Sequence, residues 1–164
     1  RLRNAMQENP LPVPSIAWRR FPDVSLVGGD ELVEVLSSAY RRDGMDETII
    51  VTRSNKRANI FNQGIRNRIL YREEELASGD LLLVARNNYF WSEKYEKLDF
   101  IANGDVARVV RVRRVCEMYG FRFADVVLYF PDYEEEMEAK VILDTLHSES
   151  PSLTAEENTR LFNA

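Results

Sequence analysis

Thr48-Ile49-Ile50-Val51-Thr52-Arg53-Ser54-Asn55-Lys56-Arg57-Ala58 is the stretch on which the fold turns. Its first five residues are a β-branched run of the kind found in a strand covered on both faces, as in a parallel sheet with helices above and below. The polar residues that follow offer Ser54 or Asn55 as the cap of a helix. That helix carries Ala58, Ile60, Phe61, Ile65, Ile69 and Leu70 on a broad apolar face, with Lys56, Arg57, Arg66 and Arg68 outside. Gly64 interrupts it, and a close helix–strand or helix–ligand approach is the expected reason. Upstream, Val24-Ser25-Leu26-Val27 reads as a short strand and Gly28-Gly29 as a turn. Asp30 then caps a helix over Glu31 to Arg42, with Leu32, Val35, Leu36 and Ala39 at helical spacing and Gly44 beyond its end. Strand, helix, strand, helix is the grammar of an open α/β sheet.

Beyond residue 70 the pattern changes. Leu81 to Ala85, Val106 to Arg113, Val115 to Tyr119, Phe121 to Phe130 and Glu138 to Leu143 read as five short strands. Asn103-Gly104 signals a hairpin turn, and Gly120 and Pro131-Asp132 punctuate the rest. So many short strands in succession predict a small antiparallel barrel or curled sheet, because closure removes exposed edges. Ser150 to Phe162 predicts a terminal helix capped by Ser152 or Thr154, with Glu156 and Glu157 in its first turn. Pro10, Pro12, Pro14 and Pro22 make residues 1–22 an extended arm, packing through Ile16, Trp18 and Phe21. The organisation is thus an arm over 1–22, an α/β segment over 23–78, a barrel over 79–145, and a loop and helix over 146–164.

Composition sets the outer bounds. The chain has 164 residues, 45% of them hydrophobic and 30% charged, the balance of a soluble folded protein. No stretch is long and apolar enough for a membrane span, and the first residues lack a signal-peptide core, which gives a cytoplasmic reading with no membrane partner. One cysteine, Cys116, and one histidine, His147, exclude disulfide and zinc scaffolds. The neighbours of His147 are a polar loop, which leaves a histidine-based triad unsupported. No G-x-x-x-x-G-K-[ST] phosphate loop occurs and no lysine follows any glycine, so the polypeptide alone is expected not to hydrolyse ATP.

Charge is strongly segregated. The formal charge is −5, yet Ile49 to Arg72 holds six bases (Arg53, Lys56, Arg57, Arg66, Arg68, Arg72) and no acid, while Pro131 to Glu157 holds nine acids and one lysine. Eighteen of the 22 bases are arginine, which suits bidentate contact with phosphate or carboxylate. Two readings stand: a phosphate-binding face, or a salt-bridged surface in which the acidic stretch covers the basic one. At the strand-to-helix junction Arg53, Asn55 and Lys56 lie where open α/β sheets bind ligands and are placed to hold phosphates, or Asn55 is only a cap. Asn87, Asn88, Tyr89, Phe90 and Trp91, with Tyr95 nearby, form either a base-stacking group or the rim of a core. The acids Asp132, Glu134, Glu135, Glu136 and Glu138 cluster locally, unlike the converging carboxylates of a two-metal nuclease.

The order of these pieces resembles a known family. A strand ending in Thr-x-Ser-Asn-Lys, a helix with Asn62, Ile65 and Arg66, then Gly79-Asp80-Leu81, Asn87-Asn88-Tyr89 and Asn103-Gly104-Asp105 before a valine-rich strand resemble the C-terminal half of RecD-like superfamily 1 DNA helicases, exonuclease V alpha-subunit-like proteins. The likeness covers about residues 48–112, and it departs at Ala107, where the family commonly has glycine. It implies a partial RecA-like α/β lobe followed by an inserted SH3-like β-barrel, in a piece of a longer helicase. Arg53, Ser54, Asn55 and Lys56 would map to the fourth helicase motif, near the single-stranded DNA track or the cleft between lobes. With Arg57, Asn88, Tyr89 and Trp91 they make up the implied nucleic-acid-binding set. No catalytic or metal-binding residue is implied within the chain. ATP and Mg²⁺ would serve the parent protein only, and the partners would be single-stranded DNA and the rest of the helicase polypeptide. The alternative is a protein-interaction module that uses the barrel and the acidic stretch.

Overall fold

The computed structural model describes residues 18–89, 95, 100–148 and 153–163. Among the described residues the protein is mixed α/β, with three α-helices and one four-stranded antiparallel sheet that curls into a half-barrel. It divides into two compact units, residues 1–49 and 50–164.

In the first unit a single turn of 3₁₀-helix, Trp18–Arg20, precedes helix α1, Leu32–Arg42. The Arg19 guanidinium lies 5.2 Å from the centre of the Trp18 ring. Glu31 rather than Asp30 stands at the N-cap, and its side chain makes no capping bond. At the far end the Gly44 N–H donates to the Tyr40 carbonyl at 3.2 Å, ending the helix where the sequence predicts. The strand expected at Val24–Val27 does not form; Leu26 is 74% exposed. None of the described residues of this unit is buried.

The strand expected at Thr48–Thr52 does not form either. Ile49 and Val51 are each 86% exposed. A strand needs a neighbour to take its backbone donors and acceptors, and no strand of the sheet pairs with this run. Apolar, β-branched character alone does not supply one.

Helix α2, Asn55–Arg68, opens the second unit. Ser54, in extended conformation, is its N-cap and accepts from the Arg57 N–H at 3.3 Å, which decides between the two candidates the sequence offers. The expected close approach at Gly64 is absent: a methyl group there would meet nothing within 4 Å.

The sheet contains β1 (Leu81–Leu83), β2 (Val106–Met118), β3 (Phe121–Phe130) and β4 (Glu135–Ile142) in that spatial order. Two expected strands, 106–113 and 115–119, are one, so the sheet has four strands rather than five. Register shifts between Val109 and Arg111 and between Val112 and Arg114 absorb one extra residue each. As a result Val109 and Val112 fall opposite Leu128 and Val126 on the core side, and Arg108, Arg111 and Arg114 fall opposite Tyr129, Val127 and Asp125 on the other. Each bulge resets the alternation, so Arg113-Arg114 imitates a strand end in the sequence. Tyr119-Gly120 joins β2 to β3 as a two-residue turn with φ of 57° and 72°, the positive pair that matches strand twist. The core comprises Leu76, Ile101, Ala107, Val109, Ala124, Val126, Leu128, Phe130, Met137 and Leu143.

Beyond β4, a short 3₁₀ segment, Leu143–Leu146, leads towards helix α3, Ala155–Phe162. Thr154 caps α3 in a full capping box with Glu157. The Arg160 guanidinium rests 4.1 Å from the centre of the Phe121 ring. Among the described residues no helix is long and apolar enough to cross a membrane.

Candidate nucleic-acid interface

Asp80, 5% exposed, gathers a dense set of polar contacts. Its carboxylate accepts from Arg66 Nε at 3.1 Å and a terminal Arg66 nitrogen at 2.9 Å, from Arg72 at 2.5 Å, and from the Ala77 N–H at 2.8 Å. Burial opposes its ionisation, but the bonds from Arg66, Ala77 and Arg72 outweigh that and hold its pKa below the usual carboxylate range. Gly79 makes the approach possible: it has φ of 84°, and a methyl group there would lie 2.8 Å from an Arg72 nitrogen. Arg66 also donates to the Glu74 carbonyl at 2.6 Å, which fixes the last turn of α2 against the entry to β1. Two of the six bases in the cationic stretch are therefore structural, both paired with the one carboxylate of Asp80.

Asn87 and Asn103 meet in the same way. The β1–β2 ladder continues in register to a bridge between Asn88 and Ile101, whose backbones exchange bonds of 2.8 and 2.9 Å. Between ladder and bridge the chain bends at Asn103-Gly104, a tight turn as expected but one set within the long arm of the ladder rather than at a hairpin tip. The Asp105 carboxylate holds this turn by accepting from the Ala102 N–H at 2.8 Å and the Tyr133 hydroxyl at 3.0 Å. The bond to Asp105 raises the Tyr133 phenol above its ordinary pKa. Asn87 spans the gap opposite: its Oδ1 accepts from the Asn103 N–H at 2.8 Å and its Nδ2 donates to the Tyr89 hydroxyl at 3.3 Å. The Tyr89 ring stacks on Phe100, with centroids 5.4 Å apart and planes inclined by 24°. Tyr89 remains 63% exposed.

The residues singled out in the sequence separate into two groups. Arg53, Asn55, Lys56 and Arg57 lie exposed at the start of α2, and Ser54 is the cap itself. Asn88 is half-buried, its backbone in the bridge to Ile101. Tyr89 is exposed, and Trp91 lies outside the described residues. The start of α2 stands about 16 Å along the helix axis from Arg66, at 1.5 Å per residue, so the Asp80 clamp joins the other end of the helix to the sheet. Nothing in the sequence pattern marks Phe100 or Tyr133, and Arg72 stands out only as one of the six bases of the cationic stretch, six residues beyond Arg66 and eight before Asp80.

The acidic stretch pairs with arginines of the sheet: Glu138 with Arg113 at 2.6 Å and Asp144 with Arg122 at 3.5 Å. His147 Nε2 meets Glu75 Oε1 at 2.8 Å, and Glu75 also receives both terminal nitrogens of Arg122. Among the described residues no group of three or more His, Cys, Asp or Glu is placed to hold a metal ion. The start of α2 carries no G-x-x-x-x-G-K-[ST] phosphate loop. The chain matches no protein-family model, no curated protein and no solved structure.

Proposed function

We propose that the chain is a non-catalytic portion of a RecD-like, ATP-dependent DNA helicase, in which it contributes to holding single-stranded DNA during translocation. In this reading residues 23–78 belong to a RecA-like lobe and 79–145 to an SH3-like barrel. The observation that carries it is that the motif pieces meet in pairs: Arg66 of the helix motif binds Asp80 of Gly-Asp, and Asn87 of Asn-Asn-Tyr binds the Asn103 backbone of Asn-Gly-Asp. Short motifs that recur in order by chance have no reason to contact one another. The exposed Ile49 and Val51 add support, because a β-branched run left open is what a strand of a larger sheet looks like without its neighbours. Arg53, Lys56 and Arg57 at the start of α2 would meet phosphate, and Tyr89 the bases.

Fluorescence anisotropy of a labelled single-stranded oligonucleotide, titrated with the chain at low and moderate salt, tests the reading. Binding should weaken steeply with salt, and Arg53→Ala and Arg57→Ala should each lower the log–log salt slope by roughly 1. Salt-insensitive binding, or none at low salt, would overturn it. A second reading, a protein-interaction module, draws on a shallow trough of about 310 Å³ on the sheet, with Arg111 and Arg113 facing Glu136 and Glu138 across Val127. It predicts indifference to nucleic acid and capture of a charged peptide segment.

A further inference from the structure

Tyr89 differs from an ordinary surface aromatic in being held at two points, one of which is itself anchored. Phe100 backs its ring, Asn87 fixes its hydroxyl, and the Asn103 backbone fixes Asn87. The support continues inward, since Asp105 ties the Asn103 turn and Tyr133 ties Asp105, with Tyr133 packed beside the core aromatic Phe130 at 6.3 Å between ring centres. A solvated rim residue has no need of such a chain. A ring held ready, 63% exposed and with its neighbour Phe100 39% exposed, offers a planar apolar surface edged by amides. A planar ligand stacking there meets a surface already ordered, so little side-chain freedom remains to be lost on binding.

We infer that Tyr89 and Phe100 form a stacking platform for one base of a single strand, and that Asn87 is the residue that positions it. The inference rests on the single-strand reading above and adds to it the place where a base sits and the residue that sets the ring. Stacking on an aromatic face tolerates every base, so the platform grips without selecting sequence. Asn87 touches no base in this arrangement; it acts through Tyr89, and the Asp105–Tyr133 bond acts through Asn87.

The test uses the whole chain and a single-stranded oligonucleotide with one 2-aminopurine, whose fluorescence is quenched on stacking. Wild-type chain should quench the probe. Tyr89→Ala should abolish the quenching and weaken binding about ten-fold while leaving the salt slope unchanged, because a stacking contact releases no counterions. Tyr89→Phe keeps the ring and removes the bond from Asn87, so it and Asn87→Ala should each cause a smaller loss. The double variant Asn87→Ala/Tyr89→Phe should be no worse than either single one, since both break the same link. Undiminished quenching by Tyr89→Ala, with salt-dependent binding intact, would overturn the platform and leave the single-strand reading standing. Additive losses in the double variant would overturn the positioning role of Asn87, and no binding at low salt would overturn platform and reading together.

Discussion

Residues 48–52 and residues 121–130 are the two most strand-like runs in the chain, and they end in opposite states. Phe121-Arg122-Phe123-Ala124-Asp125-Val126-Val127-Leu128-Tyr129-Phe130 forms β3, an inner strand with a partner along its length on each side, and Val126 and Phe130 are each 1% exposed. Ile49 and Val51 are 86% exposed. Both runs have the composition of buried strands. The difference lies in what each finds nearby. β3 follows β2 through a two-residue turn and precedes β4 through a four-residue one, so both partners are local, whereas the 48–52 run has no strand adjacent to it in sequence. Hydrophobic pattern identifies a segment that wants cover, and topology decides whether this chain provides it.

Substitutions sharpen this contrast, and the largest effect belongs to the sheet. Phe130→Ala removes a large, fully buried side chain and should destabilise the second unit by about 3–5 kcal/mol in urea denaturation. A loss below about 1 kcal/mol would mean that the core is not centred on β3. Asp80→Asn comes next. It leaves the guanidinium groups of Arg66 and Arg72, which are 14% and 20% exposed, without their anion, at a cost of about 3 kcal/mol.

The same acid makes a pH prediction. The folded-state pKa of Asp80 is depressed, so its stabilisation is fully present above the unfolded carboxylate value of about 3.9 and is lost as pH falls below it towards the folded value. Thermal midpoints measured across that acid range should fall less steeply for Asp80→Asn than for the wild-type chain. Parallel curves for the two proteins would show that the clamp contributes nothing through charge.

Smaller effects come from the segment that lacks cover. Gly64→Ala should stabilise α2 by up to about 1 kcal/mol, since the added methyl meets nothing and the helix gains propensity. Destabilisation would reveal a close neighbour at that position. Val51→Ser should change stability by no more than about 0.5 kcal/mol in this chain. The same substitution in a longer polypeptide with a completed sheet should cost several times more, and an equal, negligible effect there would count against the lobe reading.

Much of this architecture is legible from residues. Of the paired cap candidates Ser54 or Asn55 and Ser152 or Thr154 the structure selects Ser54 and Thr154, and the end of α1 at Gly44 and the turn at Gly120 follow from local chemistry. The unity of β2 does not, because two bulges break the alternation that marks a strand, and a bulge is set by the partner rather than by the strand's own residues. The site divides in the same way. Tyr89 and the amides are conspicuous in sequence, but the stack on Phe100 and the bond from Tyr133 to Asp105 join residues 11 and 28 positions apart, and only the ladder brings them together. Two bases of the cationic stretch are spent on Asp80, which charge counting cannot distinguish from the four that are not.

Backbone hydrogen exchange on the whole chain tests most directly the claim that β3 is covered and the 48–52 run is not. Amides of Val126 and Leu128 should exchange at the slowest rates in the molecule, and those of Ile49, Ile50 and Val51 at rates near those of an unstructured peptide. Protection at 49–51 equal to that at 126–128 would contradict the account, because it would require a ladder partner for a segment that has none among the described residues.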